Sequence, residues 1–163
     1  VSLINDIIRL SQLDEGDEMP RENVGLLSLS QEISEDLGAA AKKKNVTLNV
    51  GGREAYVFGV PRLLYEIVYN LCDNAIKYNR EGGRVDISVE NENGSGIGIA
   101  PKHQARIFER FYRVDKSHSK ATGGTGLGLS IVKHAVLCHG GTLSLESEEN
   151  KGTRITVTLP LSK

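Results

Sequence analysis

EIVYNLCDNAIKY, residues Glu66–Tyr78, carries two signals at once. Ile67, Val68, Leu71, Cys72, Ala75 and Ile76 recur at helical spacing, and with Leu63 and Leu64 before them they form a broad apolar stripe that needs a core to face. Pro61 can open this helix, because its fixed φ suits a first turn. Asn70 and Asn74, four residues apart, project from one face, and Lys77 follows on the same side. Asn is only a middling helix former, so two on one face ask for a reason. A solvated helix face is one explanation. The other is a carboxamide oxygen that binds a hard cation, which prefers oxygen ligands, with Lys77 meeting phosphate as a point charge.

Outward from this helix, strands and helices alternate irregularly. Val24–Leu27 suits a short strand. Ser28 with Gln31 fits a capping box, which predicts a helix running to Lys44. Val46–Val50 alternates as a strand, Gly51 and Gly52 turn the chain, and Ala55–Phe58 is expected to return as its partner. Arg84–Glu90 reads as a strand, Ala100–Arg110 as a helix, and Leu127–Cys138 as an apolar helix closed by Gly140 and Gly141. Thr142–Ser147 and Arg154–Leu159 predict a terminal hairpin around the Asn150–Gly152 turn. The expected fold class is α+β, a two-layer α/β sandwich with a mixed sheet packed on about three helices. Residues 1–16 carry their own helical pattern (Leu3, Ile4, Ile7, Ile8, Leu10 and Leu13), 17–23 read as a linker, and 24–163 as one domain.

At 163 residues with 39% hydrophobic content, the chain has enough apolar material for one globular core. A formal net charge of −1 argues against a nucleic-acid binder, which would show a basic excess. No apolar run approaches the roughly 20 residues that span a bilayer. Cys72 and Cys138 fit no metal spacing and sit among apolar neighbours, so both are expected to be buried free thiols.

Three further motifs follow in order. SGIGIAPKHQ, Ser95–Gln104, opens on a GxG turn. RIFERFYRVDKSHS, Arg106–Ser119, interleaves Phe108, Phe111 and Tyr112 with Arg110, Arg113 and Lys116, as a lid carrying cations toward phosphate would. GGTGLGLSIVKH, Gly123–His134, sets glycines before a helix whose N-terminal N–H groups can meet phosphate. It lacks the GKS or GKT of a Walker loop, and no strand leads directly into it as in a Rossmann fingerprint.

Singly these motifs are modest, but in this order they resemble the N, G1, F and G2 boxes of sensor histidine kinases. The resemblance covers about residues 24–160 and implies the Bergerat ATP-binding fold. It implies that Asn74 binds the Mg2+ bridging the phosphates of ATP, with Asn70 in support, that Lys77 contacts phosphate, and that Tyr78 lines the nucleotide pocket. Gly96, Ile97, Gly98 and Ile99 would pass near the adenine. Phe111 would belong to the lid, whose triphosphate side would be Gly124, Thr125, Gly126, Leu127, Gly128 and Leu129. Arg110 or Arg113 would stabilise charge developing in transfer. LINDIIRLSQLDEG, Leu3–Gly16, resembles the end of the second helix of the dimerisation and phosphoacceptor domain.

The implied activity is transfer of the γ-phosphoryl group to a histidine outside this chain, for relay to a response regulator. The implied setting is a homodimeric, membrane-attached bacterial protein with this domain in the cytoplasm, itself touching neither membrane nor nucleic acid. None of His103, His118, His134 or His139 has the context of a phosphoacceptor, so the chain alone is not expected to autophosphorylate; His134 and His139 read as helix-surface or helix-end residues. One departure stands out. The family's DxGxG motif meets Gly94 here in place of Asp, and ENENGS, Glu90–Ser95, is short, so a strand and the Asp are missing between Gly94 and Ser95. The alternative reading is therefore a nucleotide- or partner-binding module without catalysis. Related ATPases place a general-base Glu one turn before the magnesium-binding Asn. Asn70 holds that place here, which favours transfer over hydrolysis.

Overall fold

The computed structural model describes residues 8, 19–90, 95–96, 128–148 and 152–162. In chain order its elements are β1 (Glu22–Gly25), α1 (Leu26–Asp36), α2 (Gly38–Lys43), β2 (Thr47–Gly52), β3 (Tyr56–Gly59), α3 (Pro61–Lys77), β4 (Arg84–Val89), β5 (Ser95–Gly96), α4 (Gly128–Cys138), β6 (Thr142–Glu148) and β7 (Gly152–Thr158). The expected α+β class is observed, with three long helices against mixed strands. The predicted helices at residues 1–16 and Ala100–Arg110 lie outside the described residues, Ile8 excepted.

α3 organises the core. Pro61 occupies its first turn, and the stripe read from sequence is the face it buries: Leu63, Leu64, Ile67, Leu71, Cys72 and Ile76. α4 presents Ile131, Val132, Ala135 and Val136 to the same core, and α1 adds Leu29 and Ile33. Val57, Val85, Ile87 and Ile155 close it from the strands. Side chains such as Ile33 and Val132, fully shielded from water, contribute about 1.5–3 kcal/mol each. Among the described residues, no helix is long and apolar enough to cross a membrane.

The strands pair as β1 with β3, β2 with β4, and β5-β7-β6 with β7 central. The terminal hairpin is present, running from Thr142 opposite Thr158 to Glu148 opposite Gly152. The expected β2–β3 hairpin is not. β2 pairs in parallel with β4, from Thr47 opposite Arg84 to Gly52 opposite Val89, while β3 pairs antiparallel with β1. Parallel neighbours need a crossover, and α3 supplies it. Gly52 therefore sits inside a ladder rather than in a tight turn.

The predicted helix over 28–44 begins earlier, at Leu26, and is interrupted at Leu37 before α2 resumes. Ser28 is not its cap. Glu54, from the β2–β3 connection, does that work from across the fold: its carboxylate accepts the Leu27 N–H at 2.7 Å, the Ser28 N–H at 3.1 Å and the Ser28 hydroxyl at 2.5 Å. Burial alone would raise the Glu54 carboxyl, but the hydrogen bonds from Ser28, Leu27 and Ala55 outweigh it, and its pKa lies below the ordinary value. A depressed carboxylate pKa stabilises the fold above the unfolded value and loses that contribution as pH falls through the folded one. Glu54→Gln is accordingly expected to cost about 1 kcal/mol near neutral pH. The urea midpoints of the two proteins should converge in acid.

Cys72 and Cys138 are both free, as expected, but only Cys72 is buried. Burial, with Asp73 beside it, pushes the Cys72 thiol up to about 12. Cys138, expected to be buried, ends α4 and is exposed.

Candidate functional site

The helical spacing that puts Asn70 and Asn74 on one face of α3 aims them at the first residue of α4. A Cβ added to Gly128 would stand 3.1 Å from Oδ1 of Asn70 and 3.7 Å from Nδ2 of Asn74. Glycine lets the two helices approach this closely, because any side chain there would press on the carboxamides. The Asn70 amide is oriented from below: its Nδ2 donates to the Glu66 carbonyl at 2.7 Å and to Glu66 Oε2 at 3.1 Å. With the nitrogen committed to Glu66, Oδ1 is the end that faces Gly128. Asn74 is half-buried, and its side chain makes no hydrogen bond with a described residue.

This contact thus brings together a fixed carboxamide oxygen, an uncommitted carboxamide and the first turn of an eleven-residue helix with no acid in it. The first turn of a helix carries a partial positive charge suited to an anion. A carboxamide oxygen suits a hard cation. The two together fit a magnesium–phosphate pair.

Other predicted positions fall elsewhere. Lys77 pairs with Asp73 at 2.7 Å, one turn back on α3, and its carbonyl accepts a hydrogen bond from the Lys44 ammonium. Tyr78 follows the end of α3 and is exposed. Leu129 is half-buried against the core. Gly96 belongs to β5, opposite Thr156 of β7. Ile97, Gly98, Ile99, Arg110, Phe111, Arg113, Gly124, Thr125, Gly126 and Leu127 lie outside the described residues. Sequence reasoning passed over two partners, Glu66 for Asn70 and Asp73 for Lys77. Each stands four residues before its partner, a spacing that could have found them.

The opposite end of α4 is tied to the start of α3. His139, expected as a helix-surface or helix-end residue, does follow the helix but is buried. Its Nε2 accepts the Val60 N–H at 3.0 Å, so Nδ1, 2.7 Å from the Ala135 carbonyl, carries the proton. Burial lowers its pKa, the Ala135 carbonyl pulls the other way, and Arg21 lowers it further; the net direction is down. Protonation at Nε2 would set two N–H groups against each other. The neutral ring therefore stabilises the fold above the ordinary histidine value, about 6.5, and that contribution is lost as pH falls through the folded pKa. His139→Phe should cost about 1–3 kcal/mol at pH 8, because Val60 loses its acceptor. Chemical denaturation from pH 8 to pH 5 should show the wild type losing its advantage over this variant.

A family profile described as histidine kinase-, DNA gyrase B-, and HSP90-like ATPase matches residues 59–163. The chain is 39% identical to the sensor histidine kinase RppB of Synechocystis sp. over 173 aligned residues, covering 98% of this chain and 37% of RppB. It is 38% identical to the sensor histidine kinase WalK of Bacillus subtilis, also over 173 residues, covering 98% of this chain and 28% of WalK. It thus spans about a third of the length of these curated relatives. Among solved structures, a mycobacterial sensor histidine kinase, MprB, is similar at 30% identity with a TM-score of 0.68, over 86% of this chain and 97% of that one.

Proposed function

We propose, on the premise that this chain belongs to the histidine kinase-, DNA gyrase B- and HSP90-like ATPase family as the ATP-binding domain of a sensor histidine kinase, that it binds Mg-ATP where Asn70 and Asn74 meet Gly128 and donates the γ-phosphoryl group to a histidine outside itself. The observation that carries this reading is the convergence of Asn70 and Asn74 on the first residue of α4. Asn74 would supply an oxygen to Mg2+, Asn70 would hold the same site from its anchor on Glu66, and the α4 N-terminus would receive phosphate. Lys77 would meet phosphate in competition with Asp73. Tyr78, Gly96, Ile97, Gly98 and Ile99 would line the nucleotide. Phe111 and Gly124–Leu129 would form the lid side, and Arg110 or Arg113 would face the transferring group. Bound magnesium would neutralise triphosphate charge. The chain's own part is positioning and electrostatics.

Residue chemistry supports transfer over hydrolysis. One turn before Asn74 stands Asn70, whose carboxamide cannot take a proton usefully near neutral pH. The carboxylate of Glu66 is engaged by that same amide. In the whole protein, residues 1–16 would end a dimerisation and phosphoacceptor helix and 24–163 would be the catalytic domain, with Glu22 and Asn23 of the expected 17–23 linker already paired in its sheet as the start of β1. The acceptor histidine would lie in that neighbouring domain, a response regulator would take the phosphoryl group onward, and the dimer would be membrane-attached.

A second reading, a nucleotide- or partner-binding module without catalysis, is favoured by Gly94 standing where the family motif has Asp. The test is to mix the chain with γ-labelled ATP, magnesium and a separately purified phosphoacceptor domain from a related sensor histidine kinase. Acid-labile label on the acceptor supports transfer. Label released only as inorganic phosphate, or no turnover at all, overturns it.

A further inference from the structure

Lys77 is held at both of its ends. Its ammonium pairs with the Asp73 carboxylate at 2.7 Å, and its carbonyl, at the last residue of α3, accepts a hydrogen bond from the Lys44 ammonium. The pair is partly shielded, with 30% of the Lys77 side chain and 20% of the Asp73 side chain exposed. Successive residues of an α-helix step by about 100° round its axis. Lys77 therefore stands about 40° from Asp73 on one side and about 60° from Asn74 on the other. The backbone is fixed by Lys44, but the stem is flexible and ends in three donors, so it can turn either way. Turned one way, the ammonium meets Asp73. Turned the other, it comes to the helix face whose Asn74 looks toward Gly128.

We propose that Asp73 is a positioning residue that parks the Lys77 ammonium on the far side from Asn74, so that phosphate must displace a carboxylate before it gains the lysine. This rests on the reading of Lys77 as a contact for the phosphates of ATP. Asp73 then sets nucleotide affinity, and lowers it, without touching nucleotide. An ion pair of this spacing is weak, and a triphosphate with several negative charges can open it.

The test is a double-mutant cycle read by calorimetric titration with Mg-ATP. Asp73→Asn is expected to bind about two- to fivefold tighter than the wild type, with its urea midpoint nearly unchanged. Asp73→Glu keeps a carboxylate four residues before Lys77 and should bind as the wild type does. In the Lys77→Met background the gain from Asp73→Asn should vanish, because no ammonium is left to release. A gain that persists there would mean that Asp73 acts on phosphate by its charge alone, and would overturn the proposal. So would equal affinities of Asp73→Asn and wild type, or Asp73→Glu matching Asp73→Asn. Each of those results leaves Mg-ATP binding standing. Binding by none of the proteins would instead overturn the nucleotide reading, and this proposal with it.

Discussion

Asn74→Ala is expected to lower phosphoryl transfer to an added acceptor domain by about 100-fold or more, the loss seen when one preorganised electrostatic contact is removed from a transition state. The unfolding midpoint should hardly move. Asn74 is half-buried, and its side chain bonds to no described residue; its carbonyl accepts the Tyr78 N–H, which alanine keeps. A surface-like truncation of this kind costs within about 0.5 kcal/mol. Asn70→Ala provides the contrast. It removes the amide from the buried Glu66 carboxylate, and so should lower stability by about 1–3 kcal/mol as well as activity. Labelled-phosphate transfer and urea denaturation, run on both variants, read the two effects separately. Equal activity in Asn74→Ala and wild type would remove Asn74 from the site.

Gly52→Ala is expected to be the more damaging change to the fold, at about 3 kcal/mol. Two causes add. Gly52 has a φ of +110°, a backbone that L side chains rarely adopt, and a Cβ there would stand 2.1 Å from the Val89 carbonyl oxygen. That oxygen is backbone, and it accepts the Arg53 N–H, so relief requires β2 and β4 to part. Gly51→Ala, next door, meets nothing within 4 Å and should fall within about 0.5 kcal/mol of wild type. Urea midpoints of the pair measure the difference directly; equal midpoints would contradict the parallel β2–β4 register.

The contrast between these two glycines marks how far local pattern reaches. The stripe on α3, the apolar run of α4 and the alternation of β6 and β7 were legible because an element's period is written in its own residues. Asn70 and Asn74 were legible for the same reason, since spacing four fixes a shared face. Gly51 and Gly52, read as a turn, could not reveal that β2 pairs with β4 beyond a seventeen-residue helix. Nor could Ser28 reveal that its helix is capped by Glu54, 26 residues on. His139 looked like a helix end and is one, but its burial depends on Val60, 79 residues away. What the sequence withheld were partners distant along the chain. The Gly128 contact shares that property, and the ordered motifs made it expected only through the resemblance they carry.

Calorimetric titration with ATP, in magnesium and then in EDTA, bears most directly on the proposed site where the carboxamides of α3 meet the start of α4. Saturable binding in magnesium, weakened at least about tenfold by EDTA and lost in Asn74→Ala, is expected if a hard cation bridges phosphate and carboxamide there. No binding in either buffer, or equal binding in both with Asn74→Ala unaffected, would contradict it.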